Sequence, residues 1–324
     1  MNVKDNKKGA IEFSFAWIFA IVAGVLILVL TIYGIVKFME FRGTQTTTEN
    51  AMTIGVLTNP LESSFETEKR GLIATPTEMR IYTGCNNFTL FGKQTIKTSE
   101  EIQNKWKEGI EIPFQNKYIF SENPVEGKNF YLFTKPFEMP FKVADLIYLT
   151  STMDKYCFVN PPNDIEDQIQ NLIGEQDPEK ENPNENFLLK NRERDCPEES
   201  TKICFNGENC DISVSTRYKY VEKNSRRMFY EGDALMYAAI FSSKEDYECQ
   251  LDRLMSRTEQ LFELYRDKMN FVFQKTGCNS EIDADLIIMV NLIKDYQTSQ
   301  DLTPISAQAE VMNSKNEYAE CKLW

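Results

Sequence analysis

Hydrophobic and polar positions divide this chain into stretches of different period. From Phe13 to Val36 no charged residue interrupts an apolar run. A helix rises about 1.5 Å per residue, so a run of this length crosses a hydrocarbon core of about 30 Å with some tilt. The pattern therefore predicts a single transmembrane helix at 13–36. A stalk at 37–71 follows, with Phe38, Phe41, Met52, Ile54 and Leu57 set among polar residues. Asn59-Pro60 is a natural helix stop, because proline disfavours helix in the residue before it. Thr46-Thr47-Thr48 is a poor helix former and an equally open place for a break.

Residues 72–158 change period. Phe137-Glu138-Met139-Pro140-Phe141-Lys142-Val143 and Ile110-Glu111-Ile112-Pro113-Phe114 place apolar groups at every second position, the strand signature. Lys117-Tyr118-Ile119-Phe120 and Phe130-Tyr131-Leu132-Phe133 add short aromatic runs. Pro113 and Pro140 point to edge strands or bulges, since proline cannot donate to a ladder. Ser99 to Lys107 reads as a short helix capped by Ser99. The expectation is a mostly antiparallel β-rich domain whose aromatic stripes form a core; a ligand groove is the alternative.

Residues 159–201 read as an acidic linker, too poor in apolar groups to offset ordering entropy, with one helical island at Ile165–Ile173. The segment 202–241 reads as β-hairpins. Asn206-Gly207 is a hairpin signal between Cys204 and Cys210, and Arg217–Val221 would pair with Met228–Tyr230. Asp233–Phe241 is either a helix or a buried strand. The segment 242–324 reads as a helical bundle. Ser242 and Glu245 form a capping box. Leu251, Met255, Thr258, Phe262, Tyr265, Met269 and Val272 then step by four and three residues, as a packed seam does. Gly277 ends that helix as a left-handed cap. Ser280 caps a second helix, and Thr303-Pro304 starts a third that runs to about Glu320. The seam serves intrachain packing or dimerisation; two further amphipathic helices favour the first. The fold class is thus α+β: one N-terminal transmembrane helix, an antiparallel β-rich ectodomain and a C-terminal bundle stapled by disulfides.

Charge orients the chain. Lys4, Lys7 and Lys8 lie in the tail 1–12, and such clusters stay cytoplasmic. The remainder then lies outside the cytoplasm. The chain carries a formal charge of −13. That balance argues against nucleic acid, whose phosphates demand a basic face. All 8 cysteines fall beyond residue 42. An even count in that compartment reads as disulfides. The rival is metal binding, but no Cys-x-x-Cys occurs and the chain has 0 histidines. The hairpin brings Cys204 to Cys210, and the bundle geometry brings Cys278 to Cys321. The pairing of Cys85, Cys157, Cys196 and Cys249 stays open.

Chemistry is sparse. Without histidine there is no Ser-His-Asp or Cys-His catalysis, and no Walker loop or dinucleotide fingerprint appears. Paired carboxylates could serve glycoside hydrolysis, but acids are too abundant for any pair to be informative. No catalytic residue, cofactor or metal ligand is assigned, and the expectation is that the protein is not an enzyme. Asn87-Phe88-Thr89 is a glycosylation sequon, placing Asn87 as a candidate acceptor.

The junction Lys7-Lys8-Gly9-Ala10-Ile11-Glu12-Phe13 resembles the class III signal peptides of type IV pilin-like proteins. Lys7 to Phe38 is similar to the start of a family of uncharacterised archaeal membrane proteins, a similarity that extends to Cys321-Lys322-Leu323-Trp324. The resemblance implies cleavage at Gly9–Ala10 by a prepilin-type peptidase. It would leave Glu12 third after the cut, where pilins carry their glutamate fifth. It implies no activity. The expected function is a membrane-anchored extracytoplasmic envelope protein with a structural or assembly role. Its partners would be the lipid bilayer and, in a homo- or hetero-oligomer, other subunits. The alternative is a membrane-tethered protein that binds a ligand or a surface.

Overall fold

The computed structural model describes residues 19–35, 37, 69–87, 91–102, 105–173, 186–207 and 210–324. They form a mixed α+β fold with two sheets. Helix α1 covers residues 19–35. Its large apolar side chains are exposed, from Phe19 through Val25 and Leu28 to Ile35. Among the described residues no helix is long and apolar enough to cross a membrane. The expected span starts at Phe13, and 13–18 lie outside the described residues, as do the stalk residues 38–68 and the linker residues 174–185.

The first sheet has 7 strands in the order β3-β2-β1-β6-β7-β5, with β4 also on β2. They are β1 (Lys69–Asn86), β2 (Lys93–Ile102), β3 (Lys105–Glu108), β4 (Ile112–Phe114), β5 (Ile119–Phe120), β6 (Val125–Glu138) and β7 (Lys142–Ser151). All pairings are antiparallel except β5 with β7. The expected helix over Ser99–Lys107 is not formed. Its described residues belong to β2 and β3, and Ser99 is buried opposite Glu108. The reason is tertiary. Gln94, Ile96, Thr98 and Glu100 alternate into the interior along an eight-residue pairing with β1, and that ladder outweighs a modest local helix preference. The alternating run 137–143 also differs from its reading as one strand. It straddles a turn at Met139-Pro140, a cis peptide, that joins β6 to β7. Pro113 does sit in a short strand at the sheet's margin, as its missing N–H requires.

The second sheet has 6 strands in the order β13-β12-β11-β10-β8-β9. These are β8 (Tyr156–Val159), β9 (Phe187–Lys190), β10 (Thr201–Phe205), β11 (Ile212–Ser215), β12 (Tyr220–Lys223) and β13 (Arg226–Phe229). The β12–β13 hairpin is antiparallel and turns through Asn224 and Ser225, both at positive φ. The hairpin expected around Asn206-Gly207 is a different structure. β10 and β11 run parallel, with Ile203 beside Ile212. Asn206 adopts a left-handed φ of 53°, and its Oδ1 accepts from the backbone and hydroxyl of Thr216. The connection thus loops back to the start of β11 instead of reversing the strand. β9–β8 and β8–β10 are also parallel. Local patterns carried no sign of this, because alternation along a strand marks its buried face and not the direction of its partner.

Five more helices stand among the described residues. These are α2 (Asn163–Ile173), α3 (Gly232–Phe241), α4 (Lys244–Thr276), α5 (Asp283–Lys294) and α6 (Leu302–Tyr318). α3 resolves the ambiguity at 233–241 in favour of helix. Every residue from Ala234 to Phe241 is buried, as a helix surrounded by other elements must be. Phe241 and Tyr237 of α3 meet Phe133 of β6 at ring-centroid distances of 5.5 and 5.9 Å. Phe241 also meets Tyr156 of β8 at 5.1 Å, so α3 joins the two sheets. One apolar cluster continues from these rings into the bundle, through Leu251, Met255 and Phe262 of α4 to Met289, Ile305 and Met312. The seam is therefore used within the chain. Alternate positions of β6 and β7, including Phe130, Leu132, Ile147 and Leu149, form a second cluster.

The helix caps need two corrections. The N-cap of α4 is Ser243, which accepts from the Asp246 N–H. Ser242 is buried and donates to the Ala238 carbonyl, closing α3 instead. α5 begins after Ile282, so Ser280 stands too far upstream to cap it. Gly277 ends α4 at a φ of 72°, as expected. Pro304 lies in the first turn of α6, behind a capping box of Thr298 and Asp301.

Four disulfides cross-link the fold. Cys204 pairs with Cys210 and Cys278 with Cys321, at Cα separations of 5.9 and 6.1 Å. Cys85 pairs with Cys249 at 6.0 Å and Cys157 with Cys196 at 5.9 Å.

Candidate functional site

The Cys85–Cys249 bridge fastens the end of β1 to the second turn of α4. Next to it, Arg253 points inward and is 1% exposed. Its guanidinium donates to the carbonyls of Phe91, Lys117 and Gln115 and to the Gln250 side chain. It lies 4.7 Å from the Tyr118 ring centroid. Among the described residues no carboxylate compensates this buried charge; oriented carbonyls and a ring face do, and burial lowers its pKa. The adjoining Gln250 amide donates to Gln94 and to the Ile119 carbonyl, extending the polar network into the sheet. Gly92 makes room for it. At its φ of 57°, a Cβ would lie 2.6 Å from Arg253 Cγ and 2.5 Å from the Asn86 carbonyl oxygen.

Outside this anchor lies a cleft of about 380 Å³ between the end of β1, one face of α4 and the end of α5. Asn87 and Gly92 form one wall, Asp252, Ser256 and Glu259 of α4 the floor, and Lys294 and Tyr296 the other wall. Asp252, Ser256 and Glu259 are four and three residues apart, which puts them on one helical face. The Asp252 carboxylate accepts from Asn87 Nδ2 at 2.7 Å. Partial burial raises its pKa above the ordinary aspartate value, and the Asn87 hydrogen bond only partly opposes that. Lys294 turns to Glu259, at 3.5 Å. The Tyr296 hydroxyl is buried and has no hydrogen-bond partner among the described residues. Burial, and then Glu248, Asp252, Tyr247 and Asp301, push its pKa upward.

A second cleft of about 370 Å³ lies between the β6–β7 turn, the start of α3 and α6. Its deepest carboxylate, Glu231, is already paired with Lys219 at 2.5 Å. It therefore offers less unmet polarity than the first.

Of the residues singled out by sequence, Asn87 stands on the rim of the first cleft with its amide committed to Asp252; Phe88 and Thr89 of its sequon lie outside the described residues. Gly9, Ala10 and Glu12 also lie outside them. The four cysteines singled out form two of the bridges above. Asp252 and Arg253 carried no signal in the sequence, since one acid and one base beside an apolar seam look like ordinary helix surface. Among the described residues no group of three or more Cys, Asp or Glu is placed to hold a metal. No family model, curated protein or solved structure matches the chain.

Proposed function

We propose that this is an extracytoplasmic structural or assembly protein, tethered by its apolar N-terminal segment, with its disulfide-linked body outside the cytoplasm. The observation that carries the reading is α1. Its side chains Ile21, Val22, Val25, Leu26, Leu28, Val29 and Ile32 are all more than half exposed. Leaving that much apolar surface in water is unfavourable by about 25 cal/mol per Å². Something other than the described part of this chain covers it, and a bilayer or a bundle of neighbouring subunits fits an apolar helix. The disulfides give a second support, because such bridges persist in oxidising compartments. In this reading Gly9–Ala10 is the processing bond for a prepilin-type peptidase, and Glu12 lies at the membrane edge.

Fractionation of cells producing the full chain tests this. We expect the protein in the membrane pellet, released by detergent but not by alkaline carbonate, with every cysteine blocked to alkylation before reduction. Intact mass then reports whether the first nine residues are removed. Recovery in the soluble fraction with free thiols would reject the tether and the compartment together. A second reading, capture of a ligand by the tethered body, is favoured by the unmet polarity of the Asn87–Asp252 cleft.

A further inference from the structure

We infer that the cleft between the end of β1, α4 and the end of α5 is a binding site for a single cationic group, an ammonium or guanidinium, with Asp252 as its counter-ion. The inference rests on the second reading above, ligand capture, and not on the tether. Asp252 is the key. It is a half-buried carboxylate in a cleft that two cations line, and neither pairs with it. Arg253 is its sequence neighbour, but its guanidinium is spent on three carbonyls and Gln250 inside the protein. Lys294 is drawn to Glu259. Among the described residues, the side-chain partner of the Asp252 carboxylate is a neutral amide, Asn87.

The surroundings favour a cation over an anion or a neutral group. The charged and titratable groups that share the cleft with Asp252 are Glu259 and the occupied Arg253 from α4 and Tyr296 and the occupied Lys294 from the end of α5, with the neutral Asn87 from β1. Glu248 and Asp301 act on Tyr296 and are engaged by Ser299 and by the backbone of Gln297 and Thr298. Of the two carboxylates that line the cleft, Glu259 holds Lys294, whereas Asp252 holds no cation. Carbonyl ends of α5 add partial negative charge on the same side, as the end of a helix does. A cleft of about 380 Å³ holds a small amine or one basic side chain of a peptide, not a folded domain. A cation gains most where the carboxylate is partly desolvated, because the effective dielectric is lower there.

Protonation gives a linked expectation. The carboxyl takes up its proton more readily than a free aspartate, because burial raises its pKa. Cation binding is therefore full at neutral pH and weakens as the pH falls through that raised value.

The test uses the full chain in detergent, with n-butylguanidinium as probe and its neutral isostere n-butylurea as control, read by saturation-transfer NMR. We expect signal from the guanidinium probe only, a loss of at least about tenfold in affinity in Asp252→Asn, and weaker binding at pH 4 than at pH 7. The amide introduced by Asp252→Asn keeps an acceptor oxygen for Asn87, so this variant should fold; circular dichroism checks that. Asn87→Ala, which frees the carboxylate, should bind at least as tightly as the wild type. Equal binding of both probes, unaffected by Asp252→Asn, would overturn the cation assignment while leaving ligand capture standing. Binding of neither probe would overturn both.

Discussion

At the residue scale, the most consequential side chain outside the apolar core is Arg253. It closes hydrogen bonds to three carbonyls from chain segments more than a hundred residues away in sequence. Replacing it by leucine would leave the Lys117 carbonyl and Gln250 buried without that donor, and would take a donor from the part-buried Phe91 and Gln115 carbonyls. Each buried loss costs about 1–3 kcal/mol. We expect Arg253→Leu to lower stability by about 3 kcal/mol or more in denaturant titration. Arg253→Lys should recover only part of this, because one ammonium cannot reproduce the planar fork. A cost below about 1 kcal/mol for the leucine variant would show that the network is not a structural anchor.

At the element scale, the disulfides differ in what they tie. Cys85–Cys249 closes a loop of sequence separation 164 and joins β1 to α4; Cys204–Cys210 closes one of separation 6. On the chain-entropy account, stabilisation grows with the logarithm of loop length, about 5 kcal/mol for the long loop against about 2 for the short one. Paired serine replacement should therefore lower the melting temperature most for Cys85/Cys249 and least for Cys204/Cys210. Calorimetry on the two variants gives the order, and a reversed order would mean that local geometry, not chain entropy, governs these bridges. The parallel β10–β11 connection shows why the short bridge exists at all. It pins the loop that returns the chain to the start of β11, a job usually given to a longer crossover.

At the scale of the whole molecule, one apolar cluster runs from Phe133 and Tyr148 in the first sheet through α3 to Met312 in α6. Trp324 extends it, packing on Phe141 and Tyr265 at centroid distances of 5.5 and 5.4 Å. Sheets and bundle therefore bury against each other, and their stabilities are coupled. We expect single-tryptophan variants that retain only Trp106 or only Trp324 to report the same denaturant midpoint. Well-separated midpoints would show that β-sheet and bundle unfold independently.

What the sequence determined alone was local. The α4 seam, the Gly277 cap, the island at 165–173 and the β12–β13 hairpin all follow from period and turn chemistry within one element, and the structure contains each. Cys278 and Cys321 were legible as partners because short helix connections limit where the ends can lie. Cys204 and Cys210 were legible through proximity in the chain, although the strands between which they sit proved parallel. What only tertiary structure decided was choice of partner across distance. Ser99 lies in a strand because β1 is beside it, Cys85 finds Cys249, and Arg253 finds carbonyls from the far side of the chain. Hydrophobic period states which face is buried, but not against what. That choice is made when whole surfaces meet, and the half-buried Asp252 and its cleft exist only once they have.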